Sequence, residues 1–163
     1  MLAGVTPAGD RNSAMAARSR SGPPPPSDPD AGVFAGRAIA RRFISPDGLI
    51  VLVGKSAGDN DDLSLRLAAP QDFWLHVASE SGSHVVVRNP DRLPRLPRET
   101  LRFAASLAAA HSKARRGGKV AVHLARAGDV RKPRGLPAGK VEIRDYETVF
   151  ASPWKADDGP SAD

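Results

Sequence analysis

From Arg42 onward, apolar residues recur with two different periods, and the changes between them mark the elements. Arg42-Phe43-Ile44 and Leu49-Ile50-Val51-Leu52-Val53 flank Ser45-Pro46-Asp47-Gly48, which predicts a β-hairpin. Pro and Asp start the turn, and Gly48 supplies the positive φ that closes it. Residues 54–60 read as a polar loop. A short helix follows, capped by Asn60 or Asp61 and running to Ala68, with Leu63 and Leu67 on its buried side; Ala69-Pro70-Gln71 breaks it. Residues 72–77 and 84–88 are predicted strands joined by the segment 78–83. Residues 98–116 form the one long helix, with Ala at six positions. Lys113, Arg115 and Arg116 in its last turn complement the negative end of the dipole, and Gly117-Gly118 ends it. Residues 119–124 make a strand with Val120, Val122 and Leu124 facing inward, and 131–140 a basic Pro/Gly loop. Residues 141–144 and 148–151 make a second hairpin around Asp145-Tyr146-Glu147. The expected fold class is α+β: a largely antiparallel sheet of about six strands packed with one long helix and one short helix.

Composition divides the chain into three zones. Residues 1–42 hold few large apolar side chains, no period, and the run Pro23-Pro24-Pro25-Pro26, so they cannot bury enough surface to offset ordering entropy. They are expected to be a disordered basic arm rich in Ala, Pro, Arg and Ser, with six Arg against three Asp. Arg and Ser also mark mitochondrial transit peptides, but the arm lacks an amphipathic repeat, and Met15 is a candidate alternative start. Residues 43–154 are the expected folded body, large enough for one modest core. Residues 155–163, with one Lys and three Asp, are the expected disordered acidic tail.

The whole chain of 163 residues carries 24 Lys+Arg against 18 Asp+Glu, a net charge of +6 and a pI near 10.3. The absence of cysteine excludes disulfide frameworks, thiolate metal sites and cysteine nucleophiles. No stretch approaches the roughly 18 consecutive apolar residues of a membrane span. The first twenty residues lack an apolar core after a basic start, unlike a secretory signal. A cytoplasmic protein without a membrane partner is the expectation.

The strand at 72–77 carries the most chemistry. With a period of two, Phe73, Leu75 and Val77 point to one face and Asp72, Trp74 and His76 to the other. The first set is an ordinary core face. The second puts a carboxylate, an indole and an imidazole in a row, offering a flat ring to a nucleobase between an acceptor and a donor; such stacking is worth about 1–3 kcal/mol per base. A structural reading of the same row has Trp74 filling a second small core while Asp72 orients His76 by a hydrogen bond. Ser81-Gly82-Ser83-His84 crosses back and brings His84 beside the row. Imidazole and carboxylate suit zinc or iron, but no close His-x-His or His-x₃-His pair is present, so no metal or other cofactor is expected. His111 and His123 read as packing or surface residues. There is no Gly-x-Ser-x-Gly elbow, and Gly54-Lys55-Ser56 lacks the upstream glycine of a Walker A loop.

Charge supplies the other signal. Residues 113–144 hold ten basic residues against only Asp129 and Glu142, a net +8 in 32 residues. Lys113, Arg115, Arg116 and Lys119 surround the predicted helix end, while Arg131, Lys132, Arg134 and Lys140 lie in one loop. Phosphates are the natural partner of such clustered cations. Six contacts to a single strand give log K against log salt a slope of about −4. The plainer alternative is a surface made basic by general charge usage.

Taken together, these segments resemble the NFACT-R domain, the RNA-binding module of the NFACT family of ribosome-quality-control proteins. The matching pieces are Phe43-Ile44-Ser45-Pro46-Asp47-Gly48, Val53-Gly54-Lys55, Asn60-Asp61, Asp72-Phe73-Trp74-Leu75-His76-Val77 and Gly82-Ser83-His84-Val85-Val86-Val87-Arg88. They continue in family order with Ala104-Ala105 through Ser112-Lys113, Val130-Arg131-Lys132-Pro133-Arg134-Gly135 and Gly139-Lys140-Val141. The resemblance implies an α+β domain that binds RNA, in longer relatives on the large ribosomal subunit alongside tRNA. Those relatives also carry an N-terminal domain with a glycosylase-like fold, helix-hairpin-helix elements and a coiled coil, which this sequence does not show. It therefore resembles a stand-alone NFACT-R protein, in which tailing of stalled nascent chains is not expected by itself.

The resulting expectation is a non-catalytic RNA-binding module for rRNA or tRNA, with the large ribosomal subunit as a candidate partner. Lys113, Arg115, Arg116, Arg131, Lys132, Arg134 and Lys140 hold phosphates in this reading; Trp74 stacks or shapes the site, and Asp72, His76, Ser83 and His84 supply hydrogen bonds. One alternative is a small RNA- or nucleotide-processing enzyme using His76 or His84 as acid/base near Asp72. Another is a ribosome-docking protein with mainly protein–protein contacts.

Overall fold

The computed structural model describes residues 22–23 and 25–155. Its elements are a 3₁₀ turn at Pro29–Ala31, β1 (Val33–Phe34), β2 (Arg37–Ala38), β3 (Ala40–Ile44), β4 (Ile50–Gly54), α1 (Ala57–Asp62), a π turn at Leu63–Leu67, β5 (Phe73–Val77) and β6 (Val85–Val87). There follow α2 (Arg98–Ala110), β7 (Val120–Arg126), a 3₁₀ turn at Ala127–Asp129, β8 (Val130–Arg131), β9 (Glu142–Ile143) and β10 (Glu147–Ala151). Six strands form one wholly antiparallel sheet in the order β10-β7-β5-β6-β4-β3, flanked by the two-stranded pairs β1-β2 and β8-β9. The α+β class with a six-stranded antiparallel sheet is as the sequence predicts.

Both faces of the central strands are covered, which is why Ile50–Val53 and Val85–Val87 read as unbroken apolar runs rather than as alternation. On one face Val51, Val53, Phe73, Leu75, Val77, Val85 and Val87 meet α2. The small Ala104, Ala105 and Ala108 let that helix lie close to the sheet. Asp47, in the β3–β4 turn, accepts from the Thr100 backbone N–H (3.1 Å) and hydroxyl (2.7 Å), so the hairpin turn also caps the helix. On the opposite face Ile39, Leu52, Leu63, Leu67, Trp74 and Val86 form a second core beneath α1, the π turn and the N-terminal hairpin. Trp74 lies opposite Val86 on β6 and Ala125 on β7, in the middle of the sheet.

The chain departs from the sequence reading in four places. The first helix begins at a Ser56 cap (Ser56 Oγ to the Asp59 N–H, 3.1 Å), not at Asn60 or Asp61, and continues as a π turn closed by the Ala68 N–H to the Leu63 carbonyl. Helix α2 ends at Ala110, well before Gly117-Gly118. The chain there turns to pair with the 81–83 segment: the Ser83 N–H donates to the His111 carbonyl and the Lys113 N–H to that of Ser81. The strand expected at 148–151 pairs with β7, and Glu142–Ile143 with β8, so no second hairpin forms. Finally, part of the expected disordered arm is folded. Gly32 packs on Ala40 and Leu52, Ile39 is fully buried, and Arg37 reaches Asp59 at 2.6 Å. Few apolar residues suffice there because they complete an existing core. Residues 1–21 of that arm, with Met15, and residues 156–163 of the tail lie outside the described residues.

Candidate nucleic-acid interface

Alternation along β5 sends Trp74 and His76 to the second core face, as the period of two requires. The indole is 1% exposed and supports the half-buried His76, whose ring stacks on it with centroids 5.9 Å apart at 22°. His84, which leads into β6, stands edge-on to both rings, at 5.2 and 5.3 Å.

These rings belong to a directional hydrogen-bond relay. The Trp74 Nε1–H donates to Ser64 Oγ at 2.9 Å, because an indole nitrogen can only donate. Ser64 Oγ lies 2.7 Å from His84 Nδ1, and His84 Nε2 lies 3.1 Å from the Gly139 carbonyl, which can only accept. Nε2 therefore carries a proton. Burial holds the His84 pKa down to about 4, with His76 adding repulsion, so at neutral pH the ring is neutral and Nδ1 accepts from the Ser64 hydroxyl. The relay ties the π turn, β5 and the start of β6 to the basic loop between β8 and β9.

The same loop is pinned from its other side. Asp61 accepts from the Gly139 N–H (3.2 Å) and pairs with Lys132 Nζ (3.0 Å), while Lys132 also donates to the Lys140 carbonyl at 2.8 Å. Gly139 sits at φ +81°, where a glycine backbone is at ease and a side chain is not. Lys132 is thus a clamp of the loop.

With the loop held, two adjoining clefts of about 540 and 510 Å³ open on either side of His76. Both are lined by His76, Glu80, Ser81, Lys113, Gly139 and Lys140. Arg115 and Ser83 border the first, His123 and Tyr146 the second. Lys113 and Lys140, from opposite ends of the basic stretch, meet here because Gly82 lets two segments touch. A Cβ on Gly82 would stand 2.7 Å from Ser112 Cβ and 2.9 Å from Ser112 Cα. Among the described residues, no carboxylate pairs with Lys113, Arg115 or Lys140. Burial holds His76 below the usual histidine range, with His123 and Lys140 adding repulsion against the opposing backbone groups of Gly82 and Val77. It meets a ligand as a neutral donor–acceptor.

The remaining sequence candidates are buried beneath the clefts or lie outside them. Asp72 is fully buried and pairs with Arg88, and it accepts from the Asn89 N–H (2.8 Å) and the Ala69 N–H (2.9 Å). At about 3.3 Å of rise per residue it stands some 13 Å along the strand from His76, so it does not orient that ring. Trp74, read as stacking on a base or shaping the site, is sealed from solvent as Asp72 is. Trp74 is the centre of a second core, as the structural reading has it, without the Asp72–His76 bond. The triad-like set of His76, His84 and Asp72 is not assembled, since both His84 nitrogens are engaged internally and Asp72 is remote. Arg131 lies 3.8 Å from Glu142, and Arg116 and Arg134 are exposed outside both clefts. Lys119 belongs to a different cleft, with Arg98, Arg102 and Phe150. What the sequence reading missed is Tyr146, half exposed on the cleft wall; its signal was that it is the chain's one tyrosine, placed in a polar turn beside the basic loop. No described helix is long and apolar enough to cross a membrane.

Comparison with known proteins agrees with this architecture. The family described as "NFACT protein RNA binding domain" matches residues 40–145. The chain is similar to the Rqc2 homolog RqcH of Bacillus subtilis (strain 168), 38% identical over 117 residues, covering 71% of this chain and 20% of that protein. It is also similar to the ribosome quality control complex subunit NEMF homolog of Drosophila melanogaster, 32% identical over 72 residues, covering 44% of this chain and 7% of the relative. Among solved structures, the C-terminal part of the fibronectin/fibrinogen-binding protein from Streptococcus suis superposes with a TM-score of 0.68 at 33% identity, covering 76% of this chain and 48% of that one. The chain thus spans a fifth or less of the length of these two curated relatives.

Proposed function

The chain belongs to the NFACT RNA-binding-domain family, and from that premise we propose that it binds structured RNA, rRNA or tRNA, on the ribosome in quality control, through the paired clefts around His76. Lys113, Arg115 and Lys140 hold phosphates at the rim, while Arg116, Arg131 and Arg134 extend the positive field outward. His76 and Ser83 offer neutral hydrogen bonds within. Asp72, Trp74, His84 and Lys132 build the site without touching the ligand. The role is binding, not catalysis.

The observation that carries this reading is the meeting of Lys113 and Lys140 on both clefts without a carboxylate partner among the described residues. Cations left free at a polar concavity are what polyanion binding uses. The test is RNA affinity against salt for the full chain and for Lys113→Gln/Lys140→Gln. Loss of two phosphate contacts makes the slope of log K against log salt shallower by about 1.4 to 1.8. An unchanged affinity and slope for tRNA and for ribosomes refutes the reading. Lys132 is a poor test position, because a carboxylate there would face Asp61 and disturb the loop itself.

A further inference from the structure

Tyr146 is 50% exposed, between β9 and β10, and its ring lies 4.3 Å from that of His123 at 47°. Both rings line the same cleft as His76, Lys113 and Lys140. An aromatic ring left open to water beside free cations, and braced by a second ring, has the composition of a stacking surface flanked by phosphate contacts. Resting on the reading of these clefts as an RNA interface, we propose that Tyr146 and His123 form a shelf for an unpaired nucleobase. The ligand class at this site is therefore a single-stranded or extruded nucleotide of RNA, with its phosphates on Lys113 and Lys140.

Three features point to an unpaired base over a duplex. Bases inside a helix have both faces covered by their neighbours, so a protein ring can stack only on one that has left the stack or ends it. The cleft, at about 510 Å³, is of the size that takes one small ligand, such as a single nucleotide. Its inner wall is His76, held flat by Trp74 and neutral through burial, which suits hydrogen bonding to a base edge. Trp74, the ring expected to stack, acts here only as the floor.

The experiment uses the full chain and three labelled probes: a 12-nucleotide RNA single strand, the same strand annealed to its complement, and an abasic ribose-phosphate strand of equal length. Tyr146→Ala is expected to weaken binding of the single strand by roughly 5- to 150-fold, the equivalent of losing one stacked base, with the duplex and the abasic strand unchanged. Tyr146→Phe restores the single-strand affinity. A 2-aminopurine placed in the single strand is quenched by the wild type and not by Tyr146→Ala. The shelf is refuted if Tyr146→Ala binds the single strand as the wild type does, or weakens all three probes alike. Lys113→Gln/Lys140→Gln keeps the two readings apart. A loss on all three probes upholds the cationic interface whatever Tyr146 does, and no loss on any of them, or no binding of any probe by the wild type, overturns the interface itself.

Discussion

Replacing Ser64 by alanine removes one oxygen and breaks the relay in two places. The Trp74 Nε1–H loses its acceptor and His84 Nδ1 its donor, and Ser64 itself is only 3% exposed, so water has little access to replace them. An unsatisfied buried polar group costs about 1–3 kcal/mol. Two of them make Ser64→Ala worth about 2–6 kcal/mol, a large fraction of the 5–15 kcal/mol typical of a domain. Urea unfolding followed by far-UV circular dichroism measures it. A cycle with Trp74→Phe isolates the cause: in that background the indole donor is already gone, and the cost of Ser64→Ala is expected to fall by about 1–2 kcal/mol. Amide exchange at Gly139 should also rise in Ser64→Ala, because the His84 ring loses the partner that fixes its orientation and holds the Gly139 carbonyl less firmly. A cost under about 0.5 kcal/mol, or an equal cost in both backgrounds, would show that the relay does not hold the second core together.

Three further outcomes follow from the same geometry. His84 has a folded pKa of about 4 against 6.5 when free, so the unfolded chain binds more protons between those values; its contribution, of order 3 kcal/mol, is complete above pH 6.5 and lost as pH falls toward 4. His84→Gln should flatten that limb of the stability–pH curve, to which His76 and His111, also lowered by burial, add in the same direction. Asp72→Asn takes the buried carboxylate from Arg88 and leaves it only the exposed Asp30, and should cost about 1–3 kcal/mol in denaturant while leaving the RNA affinity of the folded protein unchanged; reduced affinity with an unchanged fold would put Asp72 back at the interface. Gly82→Ala forces a Cβ against Ser112, and is expected to cost about 1–3 kcal/mol and to weaken RNA binding by displacing Lys113 and Arg115; wild-type affinity would detach the cleft from that contact.

The sheet was readable because its strands are short apolar runs punctuated by Pro, Gly and Asp, and the alternation of residues 72–77 correctly divided the side chains between the two faces. What that alternation does not encode is how deep each face lies. Asp72-Trp74-His76 looked like an exposed polar row because sequence shows residue type; the covering layer comes from Ile39 in the N-terminal arm and from Leu63 and Leu67, which the intervening turn folds back over the strand. The end of α2 was misplaced because residues 98–116 keep a helix-forming composition past Ala110. The competing pairing with residues 81–83 is long-range, and only Gly82 hints at it. The family resemblance named Gly54 and Asn60 without a reason. The structure supplies one: a Cβ at Gly54 would fall 1.9 Å from Asn60 Oδ1, an atom that accepts from the His84 N–H.

Charge counting marks the region but not which of its cations are held by internal partners, and the structure of the loop separates them. A basic loop rich in Pro and Gly has no core of its own, so some of its cations must serve to hold it. Lys132 turns inward to Asp61 and to two carbonyls, and Arg131 lies toward Glu142, which leaves Lys140 at the rim with Lys113 and Arg115. The position of Lys140 depends on Gly139, which hangs from His84, which is oriented by Ser64 and Trp74. In the proposed interface the buried relay of Trp74, Ser64 and His84 therefore acts through placement, without contact. Ser64→Ala at a temperature where the protein is still folded should consequently weaken RNA binding and leave fewer phosphate contacts in the salt dependence, although Ser64 lies in the interior. An intact salt slope in that variant would mean that the Asp61–Lys132 clamp alone suffices to hold the loop.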